Sequence, residues 1–243
     1  MKRDQVFEST ASRGSDFVFT REVAEVFDDM LLRSVPFYVE QQLVITELAK
    51  KFYLPGTRVY DLGSSTGTTL IHIAQELKAQ QPRLIGYDNS APMVEKATAR
   101  IKEQGLERLI EVRCGDINEA ELTQASFVTL CWTLQFVRPL QREPLIRRIY
   151  EGLAEGGALI ITEKVLTNSS DMNRLFIELY YDFKKRNGYS DTEIIRKREA
   201  LENVLIPYRV DENRALFRRA GFQIIEPFFQ WYNFAGFLCV KRP

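Results

Sequence analysis

The stretch Val59 to Thr69, VYDLGSSTGTT, does most to limit what this chain can fold into. Arg58 to Leu62 reads as a buried strand, Gly63 to Gly67 as a turn of small residues, and a helix is expected from about Thr68. Gly-x-Ser-x-Gly between a strand and a helix supplies backbone positions that tolerate φ > 0 and carry no Cβ, so a ligand can approach the main chain. The helix start offers N–H groups that have no partner inside the helix. Such a turn also occurs in α/β proteins that bind nothing there, so the rest of the chain has to decide.

Downstream, the hydrophobic period alternates. A helix over 68–80 precedes a strand at Arg83 to Asp88; a helix over 91–104, with Ser90 as its N-cap and Pro92 in its first turn, precedes a strand at Leu109 to Asp116. Further strands are expected at Ser126 to Trp132 and, after a helix from Pro139 to Leu153 and a Gly156-Gly157 turn, at Ala158 to Lys164. Strands and helices alternating at this interval imply parallel βαβ units in a doubly wound α/β sheet, mostly parallel and seven-stranded, which binds ligands outside the carboxyl ends of its strands. The closing runs FQIIEPFFQW and NFAGFLCVKR are near enough to pair as an antiparallel hairpin. The chain reads as one domain over 1–243. Residues 1–54 are a helical lid with Phe7, Phe17 and Phe19 as anchors, 55–165 a ligand-binding core, 166–220 a helical insertion and 221–243 the hairpin.

Charge narrows the function. The 33 Lys and Arg balance the 33 Asp and Glu of the 243 residues, which argues against direct nucleic-acid binding through bulk charge. No apolar run is long enough for a membrane helix, and MKRDQVFEST lacks a signal-peptide core. Cys114, Cys131 and Cys239 lie far apart in or beside strands and read as reduced, buried thiols of a cytoplasmic protein, without metal spacing. His72, the sole histidine, reads as structural.

Three features fall at successive strand ends: the turn from Gly63, then Asp88, then Asp116. A carboxylate after the second strand can accept both hydroxyls of a ribose. Asp116 could accept an adenine amino proton while Ile117 packs on the ring. Together they favour an adenosine-containing ligand over loop carboxylates without function.

DLGSSTG, YDNS, GDI and GLAEGGALIITEK resemble the class I S-adenosylmethionine-dependent methyltransferases, over about residues 55 to 165 and the final hairpin. Longer stretches outside that core, REVAEVFDDMLLRSVPFY, YDNSAPMVE, TLQFV, LFIELYYDFKKRNGYSDTEI, KREALENVL and NFAGF, resemble the carboxy-S-adenosyl-L-methionine synthases. This resemblance implies an enzyme that uses S-adenosylmethionine and prephenate to make carboxy-S-adenosyl-L-methionine and phenylpyruvate, without a metal. It also implies a homodimer, for which the aromatic helix 171–187 is a candidate contact surface. The product would feed tRNA wobble-uridine modification by another enzyme.

Carried over by position, the resemblance implies Tyr38, Gly63, Ser64, Ser65, Asp88, Asn89, Asp116, Ile117, Cys131 and Arg198 as the binding residues, with Tyr38 and Arg198 nearest the chemistry. Cys131 stands where the family has asparagine, Ser64 where it has cysteine, and Ser65 where the wider superfamily has glycine. The mechanism that the resemblance implies is that prephenate aromatises by losing carbon dioxide and hydroxide; the hydroxide, or its equivalent, would remove a proton from the sulfonium methyl, and the resulting ylide would capture the carbon dioxide. The protein's tasks are then positioning and water exclusion. Two other functions fit the same scaffold, a methyltransferase acting on a small molecule or RNA and a non-catalytic S-adenosylmethionine-binding protein.

Overall fold

The computed structural model describes residues 2–8 and 17–242. Residues 1 and 9–16 of the lid expected over 1–54 therefore lie outside the described residues.

The core is a sheet with eight strands among the described residues: β1 (Arg58–Leu62), β2 (Arg83–Asp88), β3 (Ile110–Cys114), β4 (Ala125–Cys131), β5 (Leu153–Leu166), β6 (Tyr208–Arg209), β7 (Ile224–Trp231) and β8 (Phe234–Val240). The main path runs β3-β2-β1-β4-β5-β8-β7. β1 to β5 pair in parallel, whereas β8 runs antiparallel between β5 and β7. The seven expected strands form this path. The addition is β6, two residues that pair with the end of β5 and are too short to leave a periodic signal.

Among the described residues eight α-helices accompany the strands: α1 (Arg21–Ser34), α2 (Tyr38–Phe52), α3 (Thr68–Leu77), α4 (Ala91–Glu103), α5 (Pro139–Gly152), α6 (Ser170–Arg186), α7 (Asp191–Leu201) and α8 (Val210–Arg219). α2, α3 and α4 cover one face of the sheet, where Ile45, Ala49, Leu70 and Ile73 pack against Val59 and Phe127. α5 and α8 cover the other, where Ile146, Ile149 and Phe217 pack against Tyr60, Leu62 and Val128. Val59 and Tyr60 thus enter opposite layers, as strand alternation requires.

Two features differ from the sequence reading. The Gly156-Gly157 turn lies inside β5, not before it. Leu153 already pairs with Ala125, and the register shifts before Ala158 meets Phe127, so Gly156, at φ +77°, sits in a bulge. Cys114 is exposed rather than buried, because β3 is the sheet edge; Cys131 is half-buried, Cys239 buried, and all three are free.

The aromatic side of α6 is largely spent within the chain. Tyr180 meets Phe234 at 4.9 Å, Phe183 meets Trp231 at 5.3 Å and Phe176 meets Tyr232 at 5.0 Å between ring centroids. The hairpin tip therefore packs on this side of α6, while Met172 and Leu175 of the same helix stay exposed. Among the described residues no helix is long and apolar enough to cross a membrane.

Candidate active site

A cavity of about 780 Å³ opens at the carboxyl ends of the parallel strands. Phe17, Phe19, Phe27, Met30 and Leu31 wall it from the N-terminal side. This segment is tied down at both ends: Ser90 Oγ donates to the Phe19 carbonyl at 2.7 Å, and the Phe17 N–H to the Ala200 carbonyl at 3.0 Å. Of the residues expected at the site, Tyr38, Gly63, Ser64, Ser65, Asp88, Asn89, Asp116, Ile117 and Cys131 all line this cavity.

Arg198 does not line it. It is exposed on α7, and Lys197 occupies the inward position beside buried Ile194 and Ala200. A helix turns about 100° per residue, so Arg198 is swung away from the side on which Ile194 and Lys197 are buried. Ile194, Lys197 and Leu201 recur at helical spacing in the sequence, whereas the KREALENVL resemblance points to the next residue, Arg198.

The turn after β1 differs from an open backbone cradle. The N–H groups of Gly63 and Ser64 both donate to the Tyr87 carbonyl, at 2.8 and 2.9 Å. Gly63 has φ +84°, and a Cβ there would stand 2.3 Å from Thr133 Oγ1. The missing side chain thus admits Thr133, not a ligand. Ser65 holds φ +47°, a left-handed geometry that a side chain adopts at a cost of about 1–2 kcal/mol.

Asp88 accepts the Ser65 N–H at 2.8 Å on Oδ2 and the Ser90 N–H at 2.9 Å on Oδ1. Each oxygen keeps a free lone pair for a hydroxyl. Burial raises its pKa, and these two N–H groups partly offset the shift. Asp116 Oδ1 is engaged by the Asn118 N–H at 2.8 Å and the Asn118 side-chain amide at 2.9 Å, so Asp116 caps the short turn that carries Ile117.

Sequence reading passed over Asp61, Lys164 and Lys197. Asp61 is buried on the cavity wall, accepts Thr129 Oγ1 at 2.7 Å, and is pushed up to about 7 by burial. The Cys131 thiol is pushed up by burial and then by the Asp61 charge, so it stays neutral. Burial does the same to the Tyr38 hydroxyl. Lys164 and Lys197 line the cavity with Trp132, Tyr180 and Phe234. The available signal was a charged residue ending a buried strand, as in YDLG for Asp61 and ITEK for Lys164.

Residues 59–157 match the family described as Methyltransferase domain. A carboxy-S-adenosyl-L-methionine synthase from Methylococcus capsulatus is 49% identical over 242 residues, 99% of this chain and 100% of that protein. One from Desulfotalea psychrophila is 44% identical over 99% of this chain and 98% of its own length. The chain belongs to the carboxy-S-adenosyl-L-methionine synthase family. It is a transferase on a methyltransferase fold that uses S-adenosylmethionine. Solved structures agree at the level of fold. An O-methyltransferase family protein from Burkholderia thailandensis superposes with a TM-score of 0.66 at 17% identity, covering 91% of this chain and 60% of that one. Human N-acetylserotonin methyltransferase in complex with SAM gives a TM-score of 0.61 at 16% identity, covering 92% of this chain and 56% of that one.

Proposed function

We propose that this member of the family converts S-adenosylmethionine and prephenate into carboxy-S-adenosyl-L-methionine and phenylpyruvate, in the cytoplasm, for tRNA wobble-uridine modification by a separate enzyme. The observation that carries the reading is that a single cavity joins acceptors suited to a nucleoside with a cationic, aromatic compartment suited to a ring that bears carboxylates.

The residues present fit S-adenosylmethionine. Ser64 lines the cavity, and its buried Oγ has no partner among the described residues. Asp88 would take the ribose hydroxyls, Asp116 and Ile117 the adenine, and Asp61 the ammonium of the amino-acid end. When bound, S-adenosylmethionine supplies a sulfonium methyl acidic enough to lose a proton and accept carbon dioxide. The chain's own work is enclosure. The Phe17, Phe19 and Phe27 wall and the Trp132 ring keep out the bulk water into which hydroxide and carbon dioxide would be lost as bicarbonate. Tyr38, held neutral, offers a hydroxyl donor rather than a base. Trp132 keeps a left-handed φ of +59°, fixed by its N–H donating to the Thr162 carbonyl at 2.8 Å.

Arg198 and the homodimer belong together in this reading. A side chain exposed on α7 meets bound ligand only if a second copy of the chain brings it there. Arg198→Ala should then weaken carboxy-S-adenosyl-L-methionine more than S-adenosylmethionine at concentrations where the protein is dimeric; equal losses for both would remove Arg198 from the site.

The test of the reaction is mass spectrometry of purified enzyme with S-adenosylmethionine and prephenate. A carboxylated sulfonium and phenylpyruvate in equal amounts are expected. S-adenosylhomocysteine formed with an added acceptor, and no carboxylated product, would move the protein to the methyltransferases.

A further inference from the structure

Lys164, Lys184 and Lys197 converge around Tyr180 and Tyr189. Lys164 Nζ lies 4.5 Å from the Tyr180 ring centroid and 5.5 Å from that of Phe234. Lys184 Nζ lies 5.4 and 5.5 Å from the Tyr180 and Tyr189 rings, and Lys197 Nζ 5.6 Å from Tyr189. With Arg33 they make four cations. The carboxylates nearby are Asp4, Asp29 and Glu193, and each is already engaged. Asp4 accepts the Tyr189 hydroxyl at 2.5 Å, Asp29 the Arg33 guanidinium at 3.2 Å, and Glu193 caps α7 through Ser190.

Lys197 finds Ser34 Oγ at 3.2 Å and Asp4 at 4.0 Å. Lys164 Nζ has no acceptor among the described residues, although its backbone N–H is held by Gln135 Oε1 at 2.9 Å. Burial pushes both lysines down to about 8, and the neighbouring Lys197 charge adds to the effect on Lys164. A lysine used for packing alone would be better replaced by an apolar residue, because a buried charge without a counter-ion is costly. Only Lys164 and Lys197 of the three line the cavity.

We propose that Lys164 and Lys197 form the subsite for the carboxylate that the second substrate keeps, the 2-oxo acid group that leaves in phenylpyruvate. The inference rests on the reaction given above. A carboxylate presents two oxygens, enough to engage both ammonium groups, and charge-assisted bonds of this kind are strong in a desolvated site. Trp132, Tyr180 and Phe234 beside the lysines supply surface for the ring.

The choice between the two carboxylates follows from the chemistry. A cation on the carboxylate that departs as carbon dioxide would stabilise the charge that bond cleavage must disperse, favouring ground state over transition state. The retained carboxylate carries no such penalty. The amino-acid end of S-adenosylmethionine is a poorer match, because β5 lies two strands from the turn after β1, about 10 Å across the sheet.

The test uses full-length protein saturated with S-adenosylmethionine, the variants Lys164→Met and Lys197→Met, and three titrants: phenylpyruvate, phenylacetone (the same skeleton without the carboxylate) and carboxy-S-adenosyl-L-methionine, the last on ligand-free enzyme. Each variant should weaken phenylpyruvate at least about tenfold, the scale of losing one partner of a buried charge pair. Phenylacetone should bind wild type and variants alike, and S-adenosylmethionine affinity should hold. Lys164→Gln and Lys197→Gln replace any Met variant that loses its near-ultraviolet circular dichroism. Unchanged phenylpyruvate affinity, or no phenylpyruvate binding by wild type, overturns the proposal. So does a loss confined to carboxy-S-adenosyl-L-methionine, which would assign the lysines to the transferred carboxylate. Lysine-dependent phenylpyruvate binding by an enzyme that makes no carboxylated product would leave the subsite standing and overturn the reaction instead.

Discussion

Gly63→Ala separates two penalties that the structure superimposes at one atom. The new methyl would sit 2.3 Å from Thr133 Oγ1 and 2.6 Å from Thr133 Cγ2, on a backbone at φ +84°. The left-handed geometry costs an alanine about 1–2 kcal/mol. Overpacking against a neighbour that cannot withdraw adds about 1–3 kcal/mol. The single variant should therefore lose roughly 2–5 kcal/mol of stability. Thr133→Ala removes both offending atoms and loses only the bond from Oγ1 to the Cys131 carbonyl at 3.1 Å, worth about 1 kcal/mol. In the double variant most of the steric part should vanish, leaving the 3.0 Å contact with Thr133 Cβ and the backbone part, and giving a coupling of about 1–3 kcal/mol. Urea unfolding of the four proteins without ligand measures this, provided the slopes agree. Additivity within about 0.5 kcal/mol would mean that Thr133 does not occupy the space beside Gly63.

Other predictions concern binding and pH. Asp88→Ala should weaken S-adenosylmethionine by roughly 2–4 kcal/mol in calorimetry, the scale of hydrogen bonds to a charged group; undiminished affinity in a folded variant would take the ribose away from Asp88. Cys131→Asn replaces a neutral thiol with an amide and should hold or tighten S-adenosylmethionine binding while preserving turnover; loss of turnover with binding intact would show that the thiol shapes the substrate end. Lys184, pushed down to about 6 chiefly by burial, is faced by Lys164, Lys197, Asp4, Glu193, Tyr180 and Tyr189. Between pH 6 and the ordinary lysine value of 10.5 the unfolded chain binds a proton that the folded chain lacks, so this residue makes stability rise with pH across that window. Lys184→Met should flatten that rise and add about 1 kcal/mol or more at pH 7, read from melting temperatures across pH; an unchanged slope would refute it.

Local pattern carried much of the fold. Short apolar runs marked β1 to β5, and Ser90 announced α4, whose Met93 N–H its hydroxyl caps at 3.4 Å. Asp88 at the end of β2 and Asp116 two residues past the end of β3 were equally legible, since parallel strands deliver the residues that follow them to the same edge of the sheet. These features depend on neighbours in sequence, and the alternation of helix and strand records them directly. Tertiary packing decided the rest. Gly63 reads as room for a ligand until Thr133, 70 residues later, is found to fill the space. Cys114 reads as buried until β3 proves to be the edge strand. Arg198 and Lys197 are indistinguishable as cations in RKR, and the helix phase that turns Lys197 inward is fixed by what α7 packs against. The lysine cluster draws on β5, α6 and α7 with Asp4 from the N-terminal segment, so its charge imbalance exists only once elements far apart in the chain have been brought together and stripped of water.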